Sequence, residues 1–179
     1  MYQVSDTVLY GTDGVCKIVE IVTKHFTQDA NGLYSVLKPV YHESATIFIP
    51  VKNQALTDKM RPVLTKEEVL QIIHSMPGLD ALWIADDTKR QKTYEEILHS
   101  GDRMQIIRMI KALYSHEKYQ QEHGRKFHTA DQKIMKEAEN MLYEEFAYVL
   151  DIQQEKVVPF IIDHIHHMPP AEGESALLH

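Results

Sequence analysis

The hydrophobic pattern changes its period near residue 60, and this change constrains the fold more than any other feature of the sequence. Before it, four short runs rich in β-branched and apolar residues are typical of strands, at residues 7–10, 16–22, 33–40 and 45–51. Glycines and aspartates separate the runs, and Asn31-Gly32 is a strong signal for a hairpin turn. Short strands of this kind bury a shared face by curling together. We therefore predict a small SH3-like or Tudor-like β-barrel over residues 1–60.

After residue 60, apolar residues recur every three or four positions, which is the pattern of amphipathic helices. Capping residues indicate where these helices begin and end. Thr65 and Glu68 fit a capping box at the start of the first helix, and Asp86-Asp87-Thr88 offers an N-cap for the second. Gly101 fits the end of that second helix, and Asp102 fits the N-cap of the third. We predict an all-α bundle of about five helices over residues 61–168, followed by a mobile tail at residues 169–179.

Two further signals concern the last helices of the bundle. Thr129 and Gln132 fit a second capping box, at the start of the clearest amphipathic helix in the chain. Pro159 lacks a backbone amide, so we expect it to kink the final helix, at about residues 154–166, or to confine that helix to a short turn.

Composition excludes several classes of protein. The 179 residues are 44% hydrophobic, enough to bury a core without covalent staples. Cys16 is the only cysteine, which excludes an internal disulfide and a cysteine-rich zinc site, and its place in a strand favours a buried role. The chain has neither a targeting pattern at its start nor an apolar window of ~18 residues. We expect a monomeric, cytoplasmic protein that does not contact a membrane.

Charge is distributed unevenly along the helical part. The whole chain carries a net charge of −7, which argues against a protein that coats nucleic acid. Residues 89–136, however, hold eleven Lys and Arg against six Asp and Glu, a net charge of +5, whereas residues 137–163 hold one Lys against seven acidic residues, a net charge of −6. These charges either form solvated helix faces or give the helical part a surface that binds nucleic acid.

No motif in the sequence indicates catalysis. Glycine-rich phosphate loops, nucleophile elbows and paired-histidine zinc motifs are missing, and Glu95-Glu96 and Glu144-Glu145 have the spacing of exposed helix faces. Asp163 and His167 could share a helix face, but the sequence implies no further ligand beside them. We predict a protein that is not an enzyme and that has no cofactor, no metal and no small-molecule substrate.

Several short segments together resemble the CarD/CdnL family of bacterial transcription regulators. In the predicted barrel these segments are residues 6–10, 14–15, 49–53 and 60–63. In the helical part they are residues 89–92, 97–102, 106–113 and 129–150. The resemblance covers roughly residues 1–165. It implies that the barrel interacts with RNA polymerase and that the helical domain faces DNA.

The resemblance also implies two sets of site residues. The barrel would bind the lobe of the polymerase β subunit through its last strand, which we expect to add to an edge strand of the partner. The residues of this first set are Lys24, Thr46, Ile47, Phe48 and Ile49. The residues of the second set, which would contact promoter DNA, are Trp83, Lys89, Arg90, Lys92 and Lys133.

Trp83 has two interpretations. In the CarD/CdnL family an exposed tryptophan acts as a wedge where the promoter duplex opens. Counting back from Ser100-Gly101-Asp102, that position falls on Asp87 in this sequence, and Trp83 stands four residues earlier between Leu82 and Ile84. We expect Trp83 to pack into the core, and the alternative is that the loop brings it forward as the wedge.

By resemblance, the protein regulates transcription initiation by changing how readily the open complex forms or persists. A weak contact with polymerase and a weak contact with DNA, joined in one chain, would give useful affinity only where both partners are present. The alternative is an interaction module that docks on polymerase or another partner without touching DNA, which the net charge and Asp87 favour.

Overall fold

The computed structural model describes residues 2–24, 32–42 and 44–167. Its N-terminal part is one antiparallel sheet. The five strands are β1 (Thr7–Tyr10), β2 (Val15–Lys24), β3 (Gly32–Pro39), β4 (Ile47–Pro50) and β5 (Met60–Pro62). Their order across the sheet is β4-β3-β2-β1-β5, so β4 and β5 form the two edges within the described part of the chain.

The sheet curls around a single core to which all five strands contribute. The buried residues of this core are Val8, Tyr10, Cys16, Ile18, Leu37, Ile49 and Met60. β4 and β5 each supply one of these side chains, yet they are not paired with each other among the described residues. The prediction of a β domain is confirmed. Its sheet is not closed by backbone hydrogen bonds between the edge strands β4 and β5 within the described residues.

The last strand differs from the sequence prediction. We expected the run at residues 45–51 to be the last strand of the β domain, but the short helix α1 (Gln54–Thr57) and then β5 follow it. β5 pairs with β1, with Arg61 opposite Leu9 and Pro62 opposite Val8. A domain boundary between residues 60 and 61 would therefore cut a strand of the sheet. β5 is only three residues long, too short for its alternation to stand out in the sequence.

Five helices form the second domain. They are α2 (Lys66–Ser75), α3 (Asp87–Ser100), α4 (Arg103–Glu122), α5 (Thr129–Leu150) and α6 (Val157–His166), with short 3-10 turns after α2 and before α6. α5 lies at the centre, because it contributes to both helical cores: Leu142 and Phe146 to one, Ile134 and Met141 to the other.

Most of the predicted helix ends are confirmed. Thr65 and Glu68 form the capping box of α2, and the Asp86 carboxylate accepts the Lys89 amide at the start of α3. Gly101 closes α3 with a φ of 63°, and Asp102 accepts two amides at the start of α4. The side chains named in the sequence make these contacts because capping is local and needs few tertiary partners.

Two predictions about helix ends are wrong. Thr129 is the first residue of α5 rather than its cap, and His128 holds the N-cap position without a side-chain cap bond. Pro159 neither kinks α6 nor confines it to a turn, because the helix begins at Val157 and Pro159 lies in its first turn. Amides in the first turn have no partner within the helix, so a proline there costs no backbone hydrogen bond.

Two predicted features fall partly or wholly outside the described residues. The hairpin signal Asn31-Gly32 is described only from Gly32, where β3 begins. The tail predicted at residues 169–179 lies entirely outside the described residues.

A carboxylate of α5 joins the two domains. Glu145 is buried and accepts hydrogen bonds from the Leu64 amide at 3.0 Å and from Nε and Nη2 of Arg103 at 3.0 Å and 2.6 Å. The same Nη2 also donates to the carbonyl oxygen of Pro62 at 3.2 Å. Both ends of the short segment between β5 and α2 are therefore fixed to the helical bundle.

The neighbouring Glu144 forms a second contact between the domains. Its carboxylate lies 3.1 Å from Nε2 of His42 and packs against Gly14, which precedes β2. Burial raises the pKa of Glu144, and the adjacent His42 opposes that rise. Nearby, the hydroxyls of Thr7 and Tyr148 are 2.9 Å apart. The β domain thus rests on the last two turns of α5.

Gly14 offers a test of this contact. Its φ is 74°, a conformation that side chains disfavour, and a Cβ there would collide with the Glu144 carboxylate. We expect Gly14→Ala to cost about 1–3 kcal/mol in backbone strain, with a further loss from displacing Glu144. Gly11→Ala is the matched control, since Gly11 also has a positive φ, of 48°, but nothing lies within 4 Å. Urea unfolding of both variants measures the difference, and equal losses would contradict the packing of Glu144 on Gly14.

Candidate functional site

β4 presents one side of its backbone away from the sheet. The Val51 amide donates to the Leu33 carbonyl, and in an antiparallel ladder residues that bond to the neighbouring strand alternate with residues whose amide and carbonyl face the other way. Ile49, opposite Ser35, is one of the residues whose backbone bonds to β3. The amide and carbonyl of the next residue back, Phe48, therefore face away from β3. β4 has a hydrogen-bonded neighbour on one side only within the described part of the chain.

The side chains of this edge divide between the two faces of the sheet. Ile49 is buried in the core of the β domain, and Ile47 packs against the same core. Thr46 is exposed but precedes the strand, which begins at Ile47. On the other face the Lys24 ammonium lies 4.5 Å from the centre of the Phe48 ring, a cation–π contact that links β2 to β4.

The prediction that Ile49 belongs to the polymerase-binding residues is therefore corrected. Its side chain is fully occupied by the core, so it cannot contact a partner without unfolding the sheet. Strand residues alternate between faces, so a run of four consecutive residues places about half of them inside. Lys24, Phe48 and the backbone of β4 remain the candidates.

The prediction that Arg90 contacts DNA is also corrected, because Arg90 is buried. Its guanidinium binds both oxygens of the buried Asp131 carboxylate, with Nε at 3.1 Å and Nη2 at 2.7 Å. Nη1 donates to the Ile84 carbonyl at 2.8 Å, and Nη2 also reaches Asp87 at 2.8 Å. With its donors engaged by α5 and by the segment before α3, Arg90 has a structural role and does not bind phosphate.

Lys89, Lys92 and Lys133 lie around this buried pair and are exposed. Lys89 precedes Arg90 on α3, and Lys133 follows Asp131 by two residues on α5. The Arg90–Asp131 pair joins the starts of the two helices, so the structure brings the three lysines to one end of the bundle. None of their ammonium groups forms an ion pair with a described residue. We call these three residues the basic end.

Trp83 lies on the surface, so the prediction that it packs into the core is wrong. Its side chain is 38% exposed. Its ring stacks on His116 of α4 with centroids 4.1 Å apart, and the Arg90 guanidinium carbon lies 4.4 Å from the ring centre. The flanking Leu82 and Ile84 instead pack against the helical core. Trp83 thus contacts His116 and Arg90 and keeps part of its side chain exposed to solvent.

The burial of Asp131 was not predicted from the sequence, and the expectation that Glu144-Glu145 lie on an exposed helix face is wrong, because both are buried. Their signal was present, since Asp131, Ile134, Ala138, Met141 and Glu145 follow the three-and-four spacing of the buried face of α5. An acidic residue on an apolar stripe indicates a buried partner of opposite charge. Arg90 and Arg103 are those partners, but nothing local in the sequence assigns them.

Among the described residues, the cysteine and the acidic and histidine side chains do not assemble a further site. Burial, together with the charges of Asp13 and Glu144, raises the pKa of the Cys16 thiol to about 12, so it stays protonated. Cys16 is buried in the β core, as predicted. In the residues that the structure describes, no group of three or more His, Cys, Asp or Glu could hold a metal ion.

Comparison with known families agrees with this two-domain arrangement. Residues 2–64 match the model described as the CarD-like/TRCF RID domain, and residues 68–161 match the model described as CarD, C-terminal domain. The chain belongs to the CarD-like family. A comparison with curated proteins gave no match. The CarD-like matches make the chain a transcription-related protein with an RNA-polymerase-interacting domain, from a group of interaction and regulatory domains.

The two matched regions meet at the segment that Glu145 holds. The first ends at residue 64 and the second begins at residue 68, so the Leu64 amide is the last point of the first region and binds α5 of the second. In the part of the chain that the structure describes, no helix has the length and apolar character needed to span a membrane.

The role of Arg90 can be tested by stability. We expect Arg90→Ala to lower the free energy of unfolding by about 3–5 kcal/mol, because it leaves the buried Asp131 carboxylate without its partner. The adjacent exposed Lys89→Ala should change stability by no more than about 0.5 kcal/mol. Urea unfolding followed by circular dichroism measures both. Equal stability of the two variants would contradict the structural role of Arg90 and leave it among the candidate DNA-binding residues.

Proposed function

We propose that this CarD-like protein regulates transcription initiation by holding RNA polymerase and promoter DNA at the same time. The edge strand β4 binds the lobe of the polymerase β subunit, and the basic end of the helical domain contacts DNA near the upstream edge of the transcription bubble. The protein catalyses no reaction and changes the formation or lifetime of the open complex through these two contacts. The observation that carries the proposal is the pairing of an outward-facing β4 edge with an exposed basic end in one chain.

The β4 edge supports the polymerase contact. A partner strand laid beside β4 would meet the amide and carbonyl of Phe48, which face away from β3. Main-chain hydrogen bonds of this kind provide affinity, and side chains on alternate positions provide specificity. Lys24 over the Phe48 ring gives the edge an apolar surface with a positive rim, which fits a partner edge with acidic neighbours.

The basic end supports the DNA contact. Lys89, Lys92 and Lys133 are exposed, and the buried Arg90–Asp131 pair fixes the helix starts that carry them. Trp83 lies beside them with part of its ring exposed, so it belongs to the same proposed surface. With only about three phosphate contacts and a net charge of −7, the chain would bind free duplex weakly and act where polymerase recruits it.

The junction between the domains supports joint use of the two surfaces. Glu145 and Arg103 fix residues 62 and 64 against the bundle, and Glu144 fixes the turn before β2. A fixed connection sets one distance between the β4 edge and the basic end. Two weak contacts at a matched distance give an effective affinity far above either contact alone.

The polymerase contact can be tested by charge reversal. We expect Lys24→Glu combined with Phe48→Glu to abolish pull-down of RNA polymerase, because the substitutions remove the apolar ring and repel an acidic partner edge. Lys38→Glu is the control, since Lys38 is an exposed lysine on the adjacent strand β3. Circular dichroism and thermal melting should show that both proteins remain folded. Undiminished pull-down by the folded double variant would overturn the assignment of β4.

The DNA contact can be tested in reconstituted transcription. We expect Lys89→Glu, Lys92→Glu and Lys133→Glu together to change the open-complex lifetime toward its value without the protein. The dependence of DNA affinity on salt should also become weaker. Each lost phosphate contact removes about 0.9 from the steepness of log affinity against log salt concentration, so the triple variant should lose about 3 units.

The control for that experiment is a triple charge reversal elsewhere, at the exposed Lys17, Lys38 and Lys52 of the β domain. Polymerase pull-down should be normal for the variant of the basic end. An unchanged open-complex lifetime with normal pull-down would remove DNA from the proposal and leave an interaction module that acts on polymerase alone.

A further inference from the structure

The last helix, α6, carries more apolar side chains than one face of a helix can bury. Its sequence is VVPFIIDHIH, in which Phe160, Ile161 and Ile162 are consecutive. Successive residues of a helix are rotated by about 100° around its axis, so these three side chains point in different directions. Val158 and Ile162 remain 41% and 50% exposed. A helix that is apolar on more than one side is normally covered on more than one side.

An apolar groove opens beside α6, between this helix, α4, α5 and the 3-10 turn after α2. Its volume is about 330 Å³, close to the lower limit for pockets that hold small molecules. Apart from Lys111 and Tyr143, the described side chains that line the groove are apolar. The groove contains no residue of β4 or of the basic end among those side chains. Its aliphatic walls include Ile107, Ile110, Leu142, Val158, Ile161 and Ile165.

Lys111 places a positive charge on the wall of this groove. Its side chain is half-buried, and its ammonium donates to the Met76 carbonyl at 3.1 Å and to the Leu79 carbonyl. An ammonium has three N–H groups, so one remains without an acceptor among the described residues. The two carbonyls hold the ammonium in position at the groove. Because they are neutral groups, they do not cancel its charge.

Acidic side chains near the groove do not neutralise Lys111. No described residue forms an ion pair with it. On α6, the Asp163 carboxylate lies 3.2 Å from Nδ1 of His167 instead. On α5, Glu139 lies one turn before Tyr143, and its pKa is raised by burial and by the charge of Glu117. A half-buried cation without a counter-charge favours an occupant that brings a negative group.

We propose that the groove binds an apolar carboxylate, a straight medium-chain fatty acid. The acyl chain lies along the isoleucine walls, and the carboxylate accepts the free N–H of Lys111. The charge of Lys111 selects an anion, the apolar walls select a hydrocarbon chain, and the volume limits the occupant to a single chain. A hydrogen bond between an ammonium and a carboxylate is charge-assisted and therefore strong. Neither polymerase nor DNA takes part in this binding, so it stands apart from the proposed function.

The binding can be tested with the full chain and decanoate, below the concentration at which decanoate forms micelles. NMR of labelled isoleucine methyl groups locates the ligand. We expect decanoate to shift the methyl signals of Ile161 and Ile165 and to leave those of Ile18 and Ile49, in the core of the β domain, unchanged. Decanol has the same hydrocarbon chain without the charge, and we expect it to bind at the same methyl groups about tenfold more weakly.

Variants of Lys111 separate its charge from its contacts with the carbonyls. Lys111→Met keeps the length of the side chain and removes the charge. It should weaken decanoate binding about tenfold and leave decanol binding within about twofold, because decanol makes no ionic contact. Damage to the groove would instead weaken both ligands together. Lys111→Arg keeps the charge and should restore decanoate binding.

Two substitutions on α6 test the location of the site. Val158 lines the groove, whereas Ile162 does not, and both side chains are exposed on the same helix. Val158→Glu should weaken decanoate binding about tenfold or more, because it places a negative charge beside the ligand. Ile162→Glu is the matched control and should stay within about twofold. Circular dichroism should show that both variants are folded.

Five results would overturn the inference. Three concern the ligand: no shift of the groove methyl signals with decanoate, equal affinity for decanoate and decanol, or equal loss of affinity from Val158→Glu and Ile162→Glu. Two would identify another occupant. Groove methyl signals that change with protein concentration would indicate a second copy of the chain, and signals that change when the chain is truncated after His167 would indicate its own C-terminal segment. All five leave the proposed function to its own tests.

Discussion

The ion pair between Arg103 and Glu145 is the interaction on which the arrangement of the two domains depends. Glu145 lies on the buried stripe of α5, where an unpaired carboxylate would be costly, and its oxygens are satisfied by Arg103 and by the Leu64 amide. Arg103 in turn binds the Pro62 carbonyl. Because one pair contacts both ends of the connecting segment, the β domain cannot swing freely about residues 62–65. Removing one partner of such a pair is strongly destabilising, because it leaves an uncompensated buried charge.

The second buried pair, Arg90 with Asp131, organises the other end of α5 in the same way. It fixes the start of α3 against the start of α5 and provides the support on which Trp83 packs. Arg90, which the sequence placed in the DNA-binding set, is therefore a buried residue that supports the exposed lysines of the proposed DNA surface. The exposed lysines of the basic end lie around it, so a chain with a net charge of −7 presents a local positive surface there.

The two proposed surfaces differ in chemistry, so they suit different partners. β4 offers backbone groups in a fixed register, which suits an ordered protein strand. The helical domain offers exposed lysines, which suit the phosphates of DNA. The rigid junction fixes the distance between them, so recruitment by one contact raises the local concentration of the other.

The sequence by itself determined the change from strands to helices near residue 60 and most of the helix caps, since Thr65, Asp86, Gly101 and Asp102 act on groups within a few residues. The resemblance to the CarD/CdnL family was also evident from the sequence alone, because it rests on short segments in a fixed order. Tertiary structure decided which charged residues face solvent: Arg90 and Lys89 are neighbours of the same charge, and only the partner Asp131, 41 residues away, separates them. It also decided that Trp83 stacks on His116 instead of entering the core, that Ile49 faces inward and that β5 pairs with β1. These outcomes depend on contacts between distant segments, and a single sequence carries no local signal for such pairings.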